Sequence, residues 1–339
     1  MSLTIVKPGL LTTVQDLGRY GYQQQGVIVS GAMDTFALRA ANILVGNATD
    51  AAALEITLRG PAIRFGVDAL IAICGGVLSP TINGEAVALW RPVLVRTGEV
   101  LEFGECRSGA RAYLAVAGGI DVPMVLQSRS TYLRAGIGGH EGRALRAGDV
   151  LSIGAASNLA VCYMKERQAA LQAVPFLAAT WFIGYTAQPA YRYEPVIRYV
   201  RGREFAKFTT ESREELVHRR FRISPQSDRM GYRLEGGALR LEAPVELLSE
   251  AVSFGTIQVP PDGNPIVLMA DRQTVGGYPK IAQVASVDLP VLAQMKPGER
   301  IRFTEISLEE AQQLYISAQL SLLQLATSVQ LYMKTGGPR

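Results

Sequence analysis

Apolar residues in this chain come in short runs broken by glycine, proline or aspartate, and that spacing predicts many short strands. Residues 70–74, 93–96, 112–117, 150–153, 239–242 and 266–270 each read as a strand bounded by turn residues. The five apolar residues of 266–270 fit a strand buried on both faces. Helical periodicity is rarer. Asp34 is placed to N-cap a helix over 35–45 that Gly46-Asn47 would end. A short helix is expected over 166–174. The capping-box spacing of Ser212 and Glu215 predicts another through about Arg219. The longest periodic stretch is C-terminal. After a capping box of Ser307 and Glu310, Leu308, Ala311, Tyr315, Ala318, Leu322, Leu325, Val329 and Tyr332 recur every three or four residues. Lys334 and Gly336 suit its end. With few charges past its first turn, this helix packs on its own domains or on another subunit; the pattern leaves both open.

One turn-plus-strand unit repeats. Gly98-Glu99-Val100-Leu101-Glu102-Phe103 returns as Gly148-Asp149-Val150-Leu151-Ser152-Ile153 and as Gly298-Glu299-Arg300-Ile301-Arg302-Phe303. Other landmarks follow a similar offset: Ser30 and Met33 answer to Ser227 and Met230, and Glu55 to Glu250. Matches in one order predict two related β domains. The expected division is 1–190, carrying extra strands, then 191–306, then a helix and tail over 307–339, with a hinge between Pro175 and Pro195.

The length of 339 residues agrees with two domains. The net charge is +4, and of 34 basic residues only six are lysine. Arginine suits planar contacts with carboxylates and phosphates. The densest basic cluster, Arg213, His218, Arg219, Arg220 and Arg222, is diluted by Glu211, Glu214 and Glu215. Nucleic-acid binding is therefore not expected. Cys74, Cys106 and Cys162 form no C-x-x-C pair, and His140 and His218 are the only histidines, so no metal site is expected. The start lacks a secretory pattern, and the longest apolar stretch, 69–78, is too short to span a bilayer. A cytoplasmic, non-membrane protein is expected.

Four polar clusters carry candidate chemistry. Asp271, Arg272 and Gln273 follow the buried strand, and Gly276, Gly277 and Lys280 come just after. Charged and amide groups there are costly to desolvate unless paired or facing a ligand. The glycines would permit positive φ or a close approach. Asp271 and Arg272 either serve a site or pair to brace a loop. Glu250 and Gln258 form a second cluster, Gln258 being able to donate to and accept from an amide or carboxyl group. Asp228 and Arg229 form a third, pairing with each other or holding a substrate carboxylate. Ser30, within Gly26-Val27-Ile28-Val29-Ser30-Gly31-Ala32-Met33-Asp34, forms the fourth. Ser30 and Asp34 suit either an anion site or a helix cap. No Gly-Lys dipeptide, and so no Walker A loop, exists.

Taken together, GVIVSGAMD, ANILVGN, RAYLAVAGGID, SPQSDRMGYRL, SEAVSFGTIQVP and ADRQTVGGYPKIA closely resemble the signature segments of the KipA/PxpC family. That family includes the C subunit of 5-oxoprolinase and is also called allophanate hydrolase subunit 2 or biotin-dependent carboxyltransferase family protein. The resemblance runs from about Ile5 to Phe303. Ile28-Val29 departs from it where many relatives carry proline, which puts local loop shape in doubt. The resemblance implies a mainly β fold of two tandem cyclophilin-like barrels. It implies a KipI/PxpB-like partner and a LamB/YcsF (PxpA)-like partner. With them the chain would use ATP, with Mg, to open 5-oxoproline to glutamate, and would be inactive alone. Residue type and loop position make Asp271, Arg272 and Lys280 the catalytic candidates: Arg272, Arg229 or Lys280 would neutralise the transferred phosphoryl group or the substrate carboxylate, and Asp271 would orient the lactam N–H or hold a metal–nucleotide. Gln258, Gln273, Gly276, Gly277, Glu250, Asp228, Arg229, Ser30 and Asp34 would bind an amide or lactam substrate. Two alternatives stay open: a carboxyltransferase component of a biotin-dependent urea carboxylase or allophanate system, and a non-catalytic KipI-binding antagonist of a sensor kinase. No biotin-attachment segment is present on this chain.

Overall fold

The computed structural model describes residues 1–335. Gly336, expected at the end of the last helix, lies outside them. Strand exceeds helix, 30% against 23%, and the expected mainly β class with a long C-terminal helix is met. The chain folds as two compact units. Among the described residues, one comprises 1–18, 34–188 and 320–335; the other comprises 19–33 and 189–319. Each has its own hydrophobic core.

The first unit wraps its core between a seven-stranded and a six-stranded sheet. The central strands of the six-stranded sheet are Ala69–Val77 and Ser108–Val116, paired antiparallel and buried almost throughout. Leu3, Ile5 and Ile63 of one sheet meet Leu54, Ile71 and Leu114 of the other. The helix Thr35–Leu44 starts as the sequence predicts, with Asp34 Oδ1 accepting from Ala37 N at 2.9 Å. The helix expected over 166–174 instead begins at Asn158 and runs to Leu171, because the Ser157 hydroxyl caps Ala160 N.

In the second unit, Val196–Arg201, Phe221–Ile223, Gly231–Glu235, Thr256–Gln258, Ile266–Leu268, Lys280–Val284 and Arg300–Glu305 close into a barrel. The cap expected at Ser212 sits one turn early: Thr209 caps the helix Thr210–His218 and its hydroxyl accepts from Ser212 N. Residues 239–242, expected as a strand, contribute only an isolated bridge from Leu241 to Phe208. The helix Leu308–Thr335 begins with Ser307 Oγ accepting from Glu310 N at 3.0 Å, as its capping box predicts.

The repeated Gly-acid unit has one geometry at all three places. Gly98, Gly148 and Gly298 have φ of 86°, 92° and 89°, the left-handed region that favours glycine. Their N–H groups donate to Phe65, Ile5 and Ile223, and those residues return an N–H to the carbonyls of Glu99, Asp149 and Glu299. Leu101, Leu151 and Ile301 then enter the cores, buried in each case. The short motif therefore encodes a strand entry that pins the register of its neighbour.

Candidate functional site

The strand Ile266–Leu268 leads into Asp271, which is only 5% exposed. Arg229 Nε donates to Asp271 Oδ2 at 2.9 Å and Arg229 Nη2 to Oδ1 at 3.0 Å. Ser30 Oγ adds a third bond to Oδ1 at 2.8 Å. Arg229 Nη2 also reaches the carbonyl of Gly31 at 2.6 Å. Ser30 has φ 58° and Gly31 φ 90°, so this segment turns through the left-handed region to deliver the hydroxyl and the carbonyl. The backbone completes the brace: Asp271 N donates to Arg229 O at 2.8 Å.

Asp271 thus pairs with Arg229 rather than with its neighbour Arg272. Both of its oxygens are occupied. Arg229, expected to pair with Asp228 or to hold a substrate carboxylate, pairs with Asp271. Asp228 forms a turn, its Oδ1 accepting from Met230 N and Gly231 N. Asp34 belongs to the first unit, where it caps a helix and is fully buried.

The remaining candidates converge on one rim of the barrel. A β-bulge between Ile257 and Gln258 lets Gln258 oppose Lys280, and bulges re-aim side chains in this way. A short ladder pairs Glu250 with Gly276. Gly276 and Gly277 do not take positive φ, contrary to expectation. Gly276 is needed for close approach instead: a Cβ there would lie 2.4 Å from Gln258 Nε2. Gln258 is 1% exposed, its Oε1 accepts a long 3.4 Å bond from Gln273 Nε2, and its own Nε2 has no acceptor.

Electrostatics separate the cations here. Lys280 Nζ lies 3.4 Å from Glu250 Oε2, and Arg203 holds the other oxygen. Arg203, then Lys280, keep the Glu250 carboxyl below its usual range. Lys280 N donates to the buried Glu204. Arg272 is different. It makes no ion pair among the described residues, its Nε has no acceptor, and its Nη1 reaches only Met269 O at 3.4 Å. Burial lowers its affinity for its proton, against the opposing pull of Tyr20 and Asp271. A half-desolvated guanidinium with spare donors suits a small anion, and a buried amide with a spare donor suits an amide or carboxyl oxygen.

Arg203 and Glu204 are absent from the sequence-based candidates. They follow a strand with no motif around them, and only the fold brings them to Lys280. No group of three or more His, Cys, Asp and Glu able to hold a metal occurs among the described residues. No helix among them is long and apolar enough to cross a membrane. A separate cleft of about 450 Å³ in the first unit is lined by Lys7, Leu10, Arg59, Glu102 and Phe103 among others, and by none of the candidate residues.

Known proteins share this arrangement of sequence and fold. The chain is 40% identical to the 5-oxoprolinase C subunit of Haemophilus influenzae over 303 residues, covering 89% of this chain and 90% of that protein. It is 41% identical to the 5-oxoprolinase C subunit of Escherichia coli, covering 91% and 93%. The crystal structure of K. lactis urea amidolyase superposes with a TM-score of 0.84 at 32% identity, over 96% of this chain. This chain spans only 20% of that structure. The carboxyltransferase domain family, subdomain A and B, matches residues 25–305. With a match of that extent, the chain belongs to the carboxyltransferase domain family.

Proposed function

We propose that this chain is the C subunit of an ATP-dependent 5-oxoprolinase, acting with a KipI/PxpB-like and a LamB/YcsF-like subunit and inactive without them. The observation that carries this reading is the end-to-end likeness to the two bacterial 5-oxoprolinase C subunits, about nine-tenths of both chains in each case.

The chemistry of the barrel rim supports the same substrate class. 5-Oxoproline carries a carboxylate and an unstrained lactam. In this reading Arg272 binds the carboxylate. Gln258 Nε2 donates to the lactam oxygen, and Gln273 fixes the Gln258 amide in the orientation that frees that donor. Lys280, steadied by Glu250, adds positive potential beside the transferred phosphoryl group. Asp271, Arg229 and Ser30 hold the loop that presents Arg272. ATP would supply the phosphoryl group: once it is on the lactam oxygen, the ring carbon is an imidate-like electrophile, water adds there, the C–N bond breaks with its nitrogen taking a proton, and hydrolysis of the resulting acyl phosphate releases phosphate and glutamate.

The test is reconstitution. The three chains together should release glutamate from 5-oxoproline in an ATP-dependent way, and omission of any one should abolish it. Arg272→Gln should raise KM and lower kcat/KM by about 100-fold, as expected for losing a charged contact. Full turnover by Arg272→Gln would remove the site assignment. Absence of ATP-dependent glutamate release would remove the activity.

A second reading is favoured by the urea amidolyase structure, which superposes over 96% of this chain. The same rim would then recognise urea for carboxyl transfer from a biotinylated carrier. Turnover of urea that requires an added carrier would establish that alternative in place of lactam cleavage.

A further inference from the structure

The helix Leu308–Thr335 begins beyond residues 25–305, which the family match covers. From Ala311 to Met333 it carries no charged residue. Its buried side chains are Leu322, Val329 and Met333. At about 100° per residue, Ile316, Leu320, Leu323, Thr327 and Leu331 fall on the opposite side, within an arc of roughly 80°. Ile316, Leu320, Leu323 and Leu331 are 57%, 54%, 65% and 57% exposed. Glu309 and Lys334 lie on that same line, one at each end, and neither makes an ion pair among the described residues. Four such aliphatic side chains leave on the order of 400 Å² of apolar surface in water, as much as the largest patch on a typical monomer.

We propose that this face is a homodimer seam, in which the helix packs antiparallel against the same helix of a second copy. The charge pattern selects that partner. An antiparallel two-fold register that sets Leu320 against Leu323 of the partner copy also sets Ile316 against Thr327, and it brings Glu309 to Lys334 at both ends. A parallel pairing would place like charges together at each end. The uncharged span between them offers no repulsion to a second copy and nothing to attract a strongly charged partner. A two-fold contact of this kind is isologous, so one stripe serves both sides. Counting both copies and the flanking glutamines, the surface covered reaches on the order of 1,000 Å², the lower bound for a specific interface.

Sedimentation of the full chain at micromolar concentration tests this. The wild-type protein should sediment as a dimer. Leu320→Glu with Leu323→Glu should weaken the dimer by at least about 100-fold, since two central anchors are lost. Both side chains are exposed, so the thermal transition should survive the change. Glu309→Lys alone should loosen the dimer, and Glu309→Lys with Lys334→Glu should restore it. A monomeric wild type, or a dimer indifferent to the Leu320/Leu323 double change, overturns the proposal. Failure of the charge swap to restore pairing overturns the antiparallel register. Flotation of a monomeric wild type with phosphatidylcholine vesicles would assign the stripe to a lipid surface and overturn it equally.

Discussion

Each unit buries a polar network, and the two networks differ in what they leave open. In the first unit the Tyr113 hydroxyl donates to Glu55 Oε2 at 2.6 Å and accepts from Asp34 N at 2.8 Å. Arg111 lies 3.9 Å from the other Glu55 oxygen. Burial, then the Glu55 charge, holds the Tyr113 phenol well above its ordinary range. This network joins two strands to a helix start, and its phenol and carboxylate satisfy each other. In the second unit Arg229, Asp271 and Ser30 close a similar brace. Directly beyond it, however, Arg272 and Gln258 keep buried donors without acceptors. Burial of charge alone therefore does not mark a site here. Native proteins rarely leave buried polar groups unpaired, so the spare donors of Arg272 and Gln258 are what a bound ligand would satisfy.

That contrast is open to direct attack. Asp271→Ala should give the largest effect, a loss of about 3–5 kcal/mol in stability, because Arg229 is left buried without its counter-charge. Denaturant unfolding would measure it, and a loss under about 1 kcal/mol would remove the brace. Arg272→Ala should behave in the opposite way. It should cost about 100-fold in kcat/KM of the assembled enzyme while leaving stability unchanged or slightly raised, since a desolvated cation is removed. Tyr113→Phe should cost about 1–3 kcal/mol in stability, because Glu55 loses a donor and Asp34 N an acceptor. Gly276→Ala should displace the Gln258 amide and raise KM by about tenfold, with little change in the melting temperature.

The smallest effect concerns the Gly-acid turns. Arg143, aided by the Arg146 N–H, lowers the Asp149 carboxyl from its ordinary value of 3.8 to about 2. A depressed carboxyl contributes stability that is complete above its unfolded pKa and is lost as pH falls through its folded one. The wild type should therefore lose more stability than Asp149→Asn between about pH 4 and pH 2. Equal losses in the two proteins, followed by thermal melts at each pH, would show that the turn does not depend on that charge.

Much of the fold is readable in the chain because it is local. The three Gly-acid turns announce themselves through a positive-φ glycine and an alternating strand, and all three form. Asp34 and the Ser307/Glu310 box cap their helices as written. The site is readable in its residue types but not in its pairings. Asp271 meets Ser30 across 241 positions of sequence, and no local spacing encodes such a partner. The glycine pair at 276–277 suggests positive φ and close approach, and Gly276 supplies the second, giving room to Gln258. Arg203 and Glu204 carry no local signal because their meaning depends wholly on a barrel that closes around them.

The excursion of residues 19–33 into the second unit bears on how the protein is made. On the ribosome, Ser30 and Gly31 emerge long before Arg229 and Asp271 exist. At about 5–20 residues per second, that wait lasts on the order of ten seconds or more. Until then this early segment lacks the side chains to which it hydrogen-bonds in the folded barrel. A gene fragment that starts at Pro189 would likewise encode a barrel deprived of the hydroxyl that steadies its central carboxylate.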